Sequence, residues 1–277
     1  MKVSVITINY NNAAGLEKTI KSVLSQSYQD FEYIVIDGDS ADRSREILES
    51  YSEQIDYWIS EPDNGIYNAM NKGIRQATGQ YLHFLNSGDI YASGNVLENV
   101  FRNKEYKDPI LRGIQICDCG THQFRWYNHG LEDITLYHLY VDTLQHQATF
   151  INATLFKKYG LYDEKYRIGS DWKFFIQAIL GGESSFYLNI DIVIFDMTGI
   201  SNNPKYKKLM YEERALIMDE LIPKTIQRNY DRLISLDKQM REDAPYYYVI
   251  NFVKRNRFPY FCIRVLNKIY KILGLNR

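Results

Sequence analysis

Apolar residues in the first 90 positions follow two alternating rhythms. Short runs rich in β-branched and aromatic residues, Val3–Ile8, Tyr33–Ile36, Ile55–Ile59 and Tyr81–Leu85, read as strands. Between them the apolar positions recur every three or four residues. Leu16, Ile20, Val23 and Leu24 form one helical stripe, and Ile66, Met70, Ile74 and Ala77, closed by Gly79, form another. A further helix, capped by Ser40 or Asp42, runs to Tyr51. Strand alternating with helix predicts an α/β fold, a mainly parallel sheet with helices on both faces. Right-handed crossovers then set the strand ends near Ile8, Asp37, Ile59 and Asn86 along one edge.

Beyond Asp89 the rhythm loosens. Val96–Phe101 reads as helix, Ile110–Cys117 and Phe124–Tyr127 as a strand pair, and Ala148–Ile151 as a strand. Trp172, Phe175, Ile176, Ile179 and Leu180 mark a helix after Ser170, and Ser185–Phe195 is strand-rich. From Pro204 the pattern is helical, with breaks expected at Pro223, Pro245 and Pro259. The expected division is a catalytic domain over 1–200 (nucleotide-binding half 1–90, acceptor half 91–200) and a helical extension over 201–277.

Composition narrows the functional class. A net charge of −1 argues against a general nucleic-acid binder. The three cysteines fit a reducing cytoplasm without a disulfide framework. The N-terminal run is short and meets polar Asn9-Tyr10-Asn11-Asn12, as a strand does and a signal peptide does not. No run reaches the roughly 18 apolar residues of a membrane span. Charge is uneven: from Ala244 onward there are seven basic residues and no acidic one, leaving the first 243 residues at −8. Within this tail, residues 259–273 set Phe261, Val265, Leu266, Ile269 and Leu273 on one helical face and Arg264, Lys268 and Lys271 on the other. Such a helix lies on an anionic membrane surface or packs on the catalytic domain or a second subunit, as in a homodimer. The 24 tyrosines offer apolar faces with polar tips, which suit sugars and bases.

Polar clusters stand at the four strand ends: Thr7-Ile8-Asn9-Tyr10-Asn11, Asp37-Gly38-Asp39-Ser40-Ala41-Asp42, Glu61 through Gly73, and Asn86-Ser87-Gly88-Asp89. In order and spacing they resemble the family 2 glycosyltransferases over roughly residues 1–200. The resemblance implies a GT-A fold, a Rossmann-like nucleotide-sugar-binding sheet, and an enzyme that transfers a sugar from a nucleotide-sugar, a UDP-sugar, to an acceptor hydroxyl. It implies that Ile8, Asn9 and Tyr10 line the nucleoside pocket, with Tyr10 packing on the base. Asp37 would accept from uracil N3–H, and Asp39 and Ser40 would form the turn below the base. The segment Asn64–Lys72, with Asn68, would run beneath ribose and diphosphate, Lys72 supplying positive charge. Asn86 and Ser87 would flank Asp89, the last residue of a DXD-like motif that binds Mg²⁺ or Mn²⁺. Asn86 replaces the first acidic residue of that motif and Gly88 stands where a second Asp is common, so one direct carboxylate remains. One carboxylate plus substrate phosphates can hold such a cation.

The resemblance also makes Asp171, at the start of a later helix, the catalytic base; the usual Glu-Asp pair is here Ser170-Asp171. The first turn of a helix favours negative charge. His146 is expected to face the active site or to be a core histidine, and Trp172 to stack on a sugar or to be core. A single displacement would invert the anomeric configuration. The acceptor would be a saccharide or a lipid-linked saccharide in surface glycan synthesis, with the enzyme in the cytoplasm or peripheral on the inner face of the plasma membrane. The weakened motif also admits a silent nucleotide-sugar-binding module. Cys117, Cys119 and His122 lack zinc-pair spacing. Gln123-Phe124-Arg125-Trp126 falls one residue short of the Gln-x-x-Arg-Trp signature of processive synthases and precedes the base, which favours a non-processive enzyme.

Overall fold

A computed structural model of the chain describes residues 3–130, 132–197, 199 and 203–255, with 241–255 described by backbone alone. The chain divides into two units, the first ending at Leu221 and the second beginning at Ile222. The first unit runs β1 (Val3–Asn9), α1 (Ala13–Leu24), β2 (Phe31–Asp37), α2 (Ser44–Ser50), β3 (Tyr57–Ser60), α3 (Ile66–Gln76), β4 (Tyr81–Phe84), β5 (Ile90–Tyr91) and α4 (Val96–Phe101). It continues through β6 (Ile110–Asp118), β7 (Gln123–Trp126), α5 (Leu136–Val141), β8 (Thr149–Asn152), α6 (Ala153–Tyr159), α7 (Ser170–Leu180), β9 (Ser185–Asp196) and α8 (Lys207–Leu221).

Among the described residues one sheet runs β3-β2-β1-β4-β8-β6-β9-β5, with β7 added on β6. The half built from the regular repeat, β3-β2-β1-β4, is parallel throughout. The later half is mixed: β8 is antiparallel to both β4 and β6, whereas β9 runs parallel to β6. Alternation along the strands serves two buried faces. Val3, Val5, Tyr33 and Val35 join Leu16, Ile20, Leu48, Val96 and Val100 in one core cluster beneath α1, α2 and α4. Ile6, Ile34 and Ile36 point to the opposite face and are also buried, with α3 packed on β1 and β2. Covered on both sides, these strands carry continuous apolar runs.

Three expectations shift. The strand expected from Ala148 begins at Thr149, because His146–Ala148 forms a 3₁₀ turn. The domain boundary falls after Leu221, not at 200, because α8 is tied to α7 and the loop before it. In the second unit, α9 (Lys224–Arg255) runs through Pro245, where a break was expected. A proline removes one backbone donor, and this helix extends for 32 residues on bonds to either side. The amphipathic stretch 259–273 and Pro259 lie outside the described residues. Among the described residues no helix is long and apolar enough to cross a membrane.

The α7–α8 tie is ionic. Lys173 Nζ, nearly buried, reaches Glu220 Oε1 at 2.5 Å and Asp163 Oδ2 at 2.8 Å, and Lys165 Nζ reaches Glu220 Oε2 at 3.0 Å. Hydrogen bonds from Lys173 and Lys165 pull the Glu220 carboxyl from 4.5 down to about 2. A depressed carboxyl contributes stability above its unfolded value that is lost as pH falls through the folded one. Glu220→Gln is therefore expected to lower Tm at pH 7, with the deficit against the parent closing between pH 4.5 and 2. Thermal melts across that range check this.

Candidate active site

The parallel strands end together on one edge, and their tips are joined by side chains. Asp37, fully buried at the end of β2, accepts from Asn9 Nδ2 at 2.7 Å and Ser40 Oγ at 2.6 Å on one oxygen. On the other it accepts from the Ser40 N–H at 3.0 Å and Ser60 Oγ at 2.6 Å. A carboxylate offers about four acceptor positions, and here all are met from within the chain. Asn9 Nδ2 also donates to Ser44 Oγ at 2.9 Å, at the start of α2. Asp42 binds the Ser44 N–H at 3.0 Å with one oxygen and the Ala13 N–H at 2.8 Å with the other, so one side chain holds the starts of α1 and α2.

The fourth cluster is held from α1. Asn12 caps that helix through Gly15 and donates to the Ser87 carbonyl at 3.1 Å. Thr19 Oγ1 donates to the Asp89 carbonyl at 2.7 Å and receives the Gly88 N–H at 3.0 Å. Gly88 has φ +106°, and a Cβ there would lie 3.0 Å from Asp196 Oδ2. This turn thus needs glycine twice, for its backbone and for the approach of β9.

These ties enclose a cavity of about 820 Å³. Ile8, Asn9, Tyr10, Asp39, Asn86 and Ser87 line it, so six of the residues read from the sequence meet at one place. Tyr10 is 66% exposed, its face open at the rim. Asp39 holds a left-handed φ of +61°, which turns the chain at the cavity wall. Gly38 allows a close approach: a Cβ there would sit 2.3 Å from Asp63 Oδ2 and 3.2 Å from the Tyr10 ring. Asp63, Arg167, Asn203 and Tyr206 also line the cavity and were not singled out from the sequence.

Other residues are placed elsewhere. Asp37 does not line the cavity; its oxygens are engaged as above, and it braces the strand tips behind the wall. Lys72 is ion-paired with Glu61 at 2.8 Å and donates to the Pro62 carbonyl. Among the residues lining the cavity the one Lys or Arg is Arg167, its guanidinium 5.0 Å from the Tyr206 ring centroid. Asn68 Nδ2 donates to Glu164 at 2.8 Å, in an adjoining recess of about 360 Å³. His146 is buried, stacked on Phe84 and bonded to the Tyr162 hydroxyl at 2.7 Å; burial lowers its pKa. Trp172 is 2% exposed, and its indole N–H donates to the carbonyls of Leu139 and Asp142. Both rings pack in the interior and leave no face open to a sugar.

Asp89 is 3% exposed, and burial pushes its carboxyl up to about 8. Its Oδ1 accepts the Asp196 N–H at 2.9 Å. Beside it, Asn86 Oδ1 is buried without a partner. Asp89 and the neighbouring Asp196 are hard oxygen donors of the kind that suits Mg²⁺ or Mn²⁺, and Asn86 Oδ1 is a further such oxygen in the same turn. Among the described residues no group of three or more His, Cys, Asp or Glu is gathered to hold a metal, the Cys117–His122 stretch included.

Asp171 stands in the first turn of α7. The loop before it is clamped by a buried carboxylate on α8: Glu213 accepts the N–H groups of Arg167 at 2.7 Å and of Ile168 and Gly169 at 2.9 Å. Asp171 Oδ1 accepts from the hydroxyl of Tyr67 on α3, at 2.7 Å. The first turn of α3, through Gly65, Ile66 and Ala69, lines the cavity. Sequence gave no signal for Glu213, whose partners lie 44 to 46 positions away.

Residues 4–166 match the glycosyl transferase family 2. An uncharacterized glycosyltransferase of Mycobacterium tuberculosis is 35% identical over 209 residues, 73% of this chain and 77% of the relative. A glycosyltransferase of Mycobacterium bovis, named for PGL/p-HBAD biosynthesis, is 31% identical over 63% of this chain and 68% of its own length. Among solved structures, Staphylococcus aureus TarS with UDP-GlcNAc superposes with a TM-score of 0.63 over 80% of this chain and 68% of that one, at 19% identity. The mannosyltransferase PcManGT of Pyrobaculum calidifontis with GDP-Man and Mn²⁺ gives 0.56 over 89% and 82%, at 12% identity. At these identities the structural likeness concerns the fold, which is that of GT-A glycosyltransferases.

Proposed function

The chain belongs to glycosyl transferase family 2, and we propose that it transfers a sugar from a nucleoside-diphosphate sugar to an acceptor hydroxyl by a single inverting displacement, with Asp171 as the base. The observation that carries this reading is the 820 Å³ cavity at the strand tips, linked through α3 to the Asp171 carboxylate. The base of the donor packs on Tyr10, beside Gly38. Its ring N–H is met by Asp39 or Asp63, since Asp37 is fully engaged. A carboxylate acceptor suits uracil N3–H, and UDP is the nucleotide we assign. Solved relatives of the fold carry UDP-GlcNAc or GDP-Man.

Asn9 Oδ1 and Asn86 Oδ1, both buried without partners, are acceptors for donor hydroxyl groups or for a cation at the cavity wall. Arg167 supplies positive charge to the diphosphate in place of Lys72. When bound, Mg²⁺ or Mn²⁺ at Asp89, Asn86 and Asp196 supplies further charge for the departing nucleotide. Asp171 takes the proton of the acceptor hydroxyl as that oxygen attacks the anomeric carbon. The acceptor is a saccharide or a lipid-linked saccharide, and the basic tail over 244–277 suits an anionic membrane surface.

Asp171→Asn is expected to lower transfer by about 10²–10⁴-fold while nucleotide affinity stays close to the parent's, measured by calorimetric titration with UDP. Parent-like turnover removes the base assignment. Arg167→Ala is expected to weaken UDP binding about tenfold, the loss of one charge-assisted contact; unchanged affinity means the diphosphate lies elsewhere. Chelation with EDTA should stop UDP-sugar turnover, and added Mn²⁺ should restore it; turnover indifferent to EDTA excludes the metal.

A further inference from the structure

Among the described residues, Tyr67 is the side chain that joins the helix at the cavity to the proposed base. It is the second residue of α3, it is 5% exposed, and its ring packs 5.5 Å from that of Tyr162. Its hydroxyl oxygen lies 2.7 Å from Asp171 Oδ1 and also within hydrogen-bonding distance of the Ile168 carbonyl. The backbone N–H of Asp171 faces the same oxygen. Burial, and then the neighbouring Asp171 charge, push the phenol well above its usual range, so it stays a neutral donor. Asp171 Oδ2 has no hydrogen bond to any described residue.

We propose that Tyr67 is a positioning residue for the base: it anchors Asp171 Oδ1 and leaves Oδ2 to receive the acceptor proton. The proposal rests on Asp171 being the base. A phenol has one hydrogen and here faces two acceptors. While Asp171 is ionised, that hydrogen points at Oδ1. During transfer the acceptor proton passes to Oδ2, the acceptor oxygen forms the new bond to the anomeric carbon, and the old anomeric bond breaks with its electron pair leaving on the diphosphate. Oδ1 is then a weaker acceptor, and the Tyr67 hydrogen turns to the Ile168 carbonyl, whose loop Glu213 holds still. Tyr67 exchanges no proton in this sequence. Gly65 and Ile66, directly before it on the chain, line the cavity.

The test is Tyr67→Phe, which keeps the ring and removes the hydroxyl, read beside Asp171→Asn and the double variant. The groups facing Asp171 are Tyr67 from α3, Tyr162 from the loop after α6 and His146 from the 3₁₀ turn. Of these, Tyr67→Phe removes one donor to the carboxylate. Expected for Tyr67→Phe are a fall in kcat of about 10–100-fold, as for a misplaced catalytic group, UDP affinity within twofold of the parent, and an acid limb of the pH–rate profile moved to higher pH. In the double variant the residual rate should equal that of Asp171→Asn, because Tyr67 acts through that carboxylate. Parent-like kcat and an unmoved limb in Tyr67→Phe, with Asp171→Asn inactive, overturn the Tyr67 proposal alone. A further fall in the double variant also overturns it. Parent-like turnover in Asp171→Asn overturns the base reading, and this proposal with it.

Discussion

The Asp37 carboxylate sets the geometry on which the cavity depends. Set without solvent at the tip of β2, it must have its lone pairs met, and it draws in the tips of β1 and β3 and the turn leading to α2 to do so. An unmet buried carboxylate is costly, so these four hydrogen bonds act as a clasp across neighbouring strands. The chain leaving the clasp must reverse at once. It does so through Gly38, over which Asp63 lies, and through Asp39 in a left-handed conformation. The carboxylates that face the cavity are consequently Asp39 and Asp63.

A second clasp works at longer range. Glu213 on α8 gathers three successive N–H groups of the loop before α7, and the Lys173–Glu220 pair fixes the same two helices together. That loop places Arg167 in the cavity wall and Asp171 in the first turn of its helix. Since α8 would read as the start of a separate helical extension, its carboxylates make it part of the catalytic unit in a way that chain order hides. Tyr67 closes the circuit from the other side, from a helix whose first turn lines the cavity.

Asp89 carries the cost of burial at the second turn. A carboxyl displaced to about 8 by burial is poorly suited to ionise beside Asp196, and the single backbone N–H it receives offsets only part of the desolvation. Asn86, in place of an acidic residue, leaves one buried oxygen without a partner in the same turn.

Hydrophobic period alone determined the parallel half of the sheet, because strands covered on both faces need unbroken apolar runs and the helices between them need one stripe each. The same pattern located the four polar clusters at one edge, and six of the residues read there do line the cavity. Sequence could not tell which carboxylate lines the cavity and which is engaged by side chains from neighbouring strands: Asp37 and Asp39 are two positions apart and differ only in what folds around them. Nor did it show that Arg167 lines the cavity while Lys72 is ion-paired, since the Glu61 that captures Lys72 and the Glu213 that holds the Arg167 loop act through space. His146 and Trp172 were open between site and core until the aromatic packing around them was seen. Local periodicity reports burial, one strand or helix at a time. The partners of buried polar groups come from distant segments, and only the tertiary structure decides them.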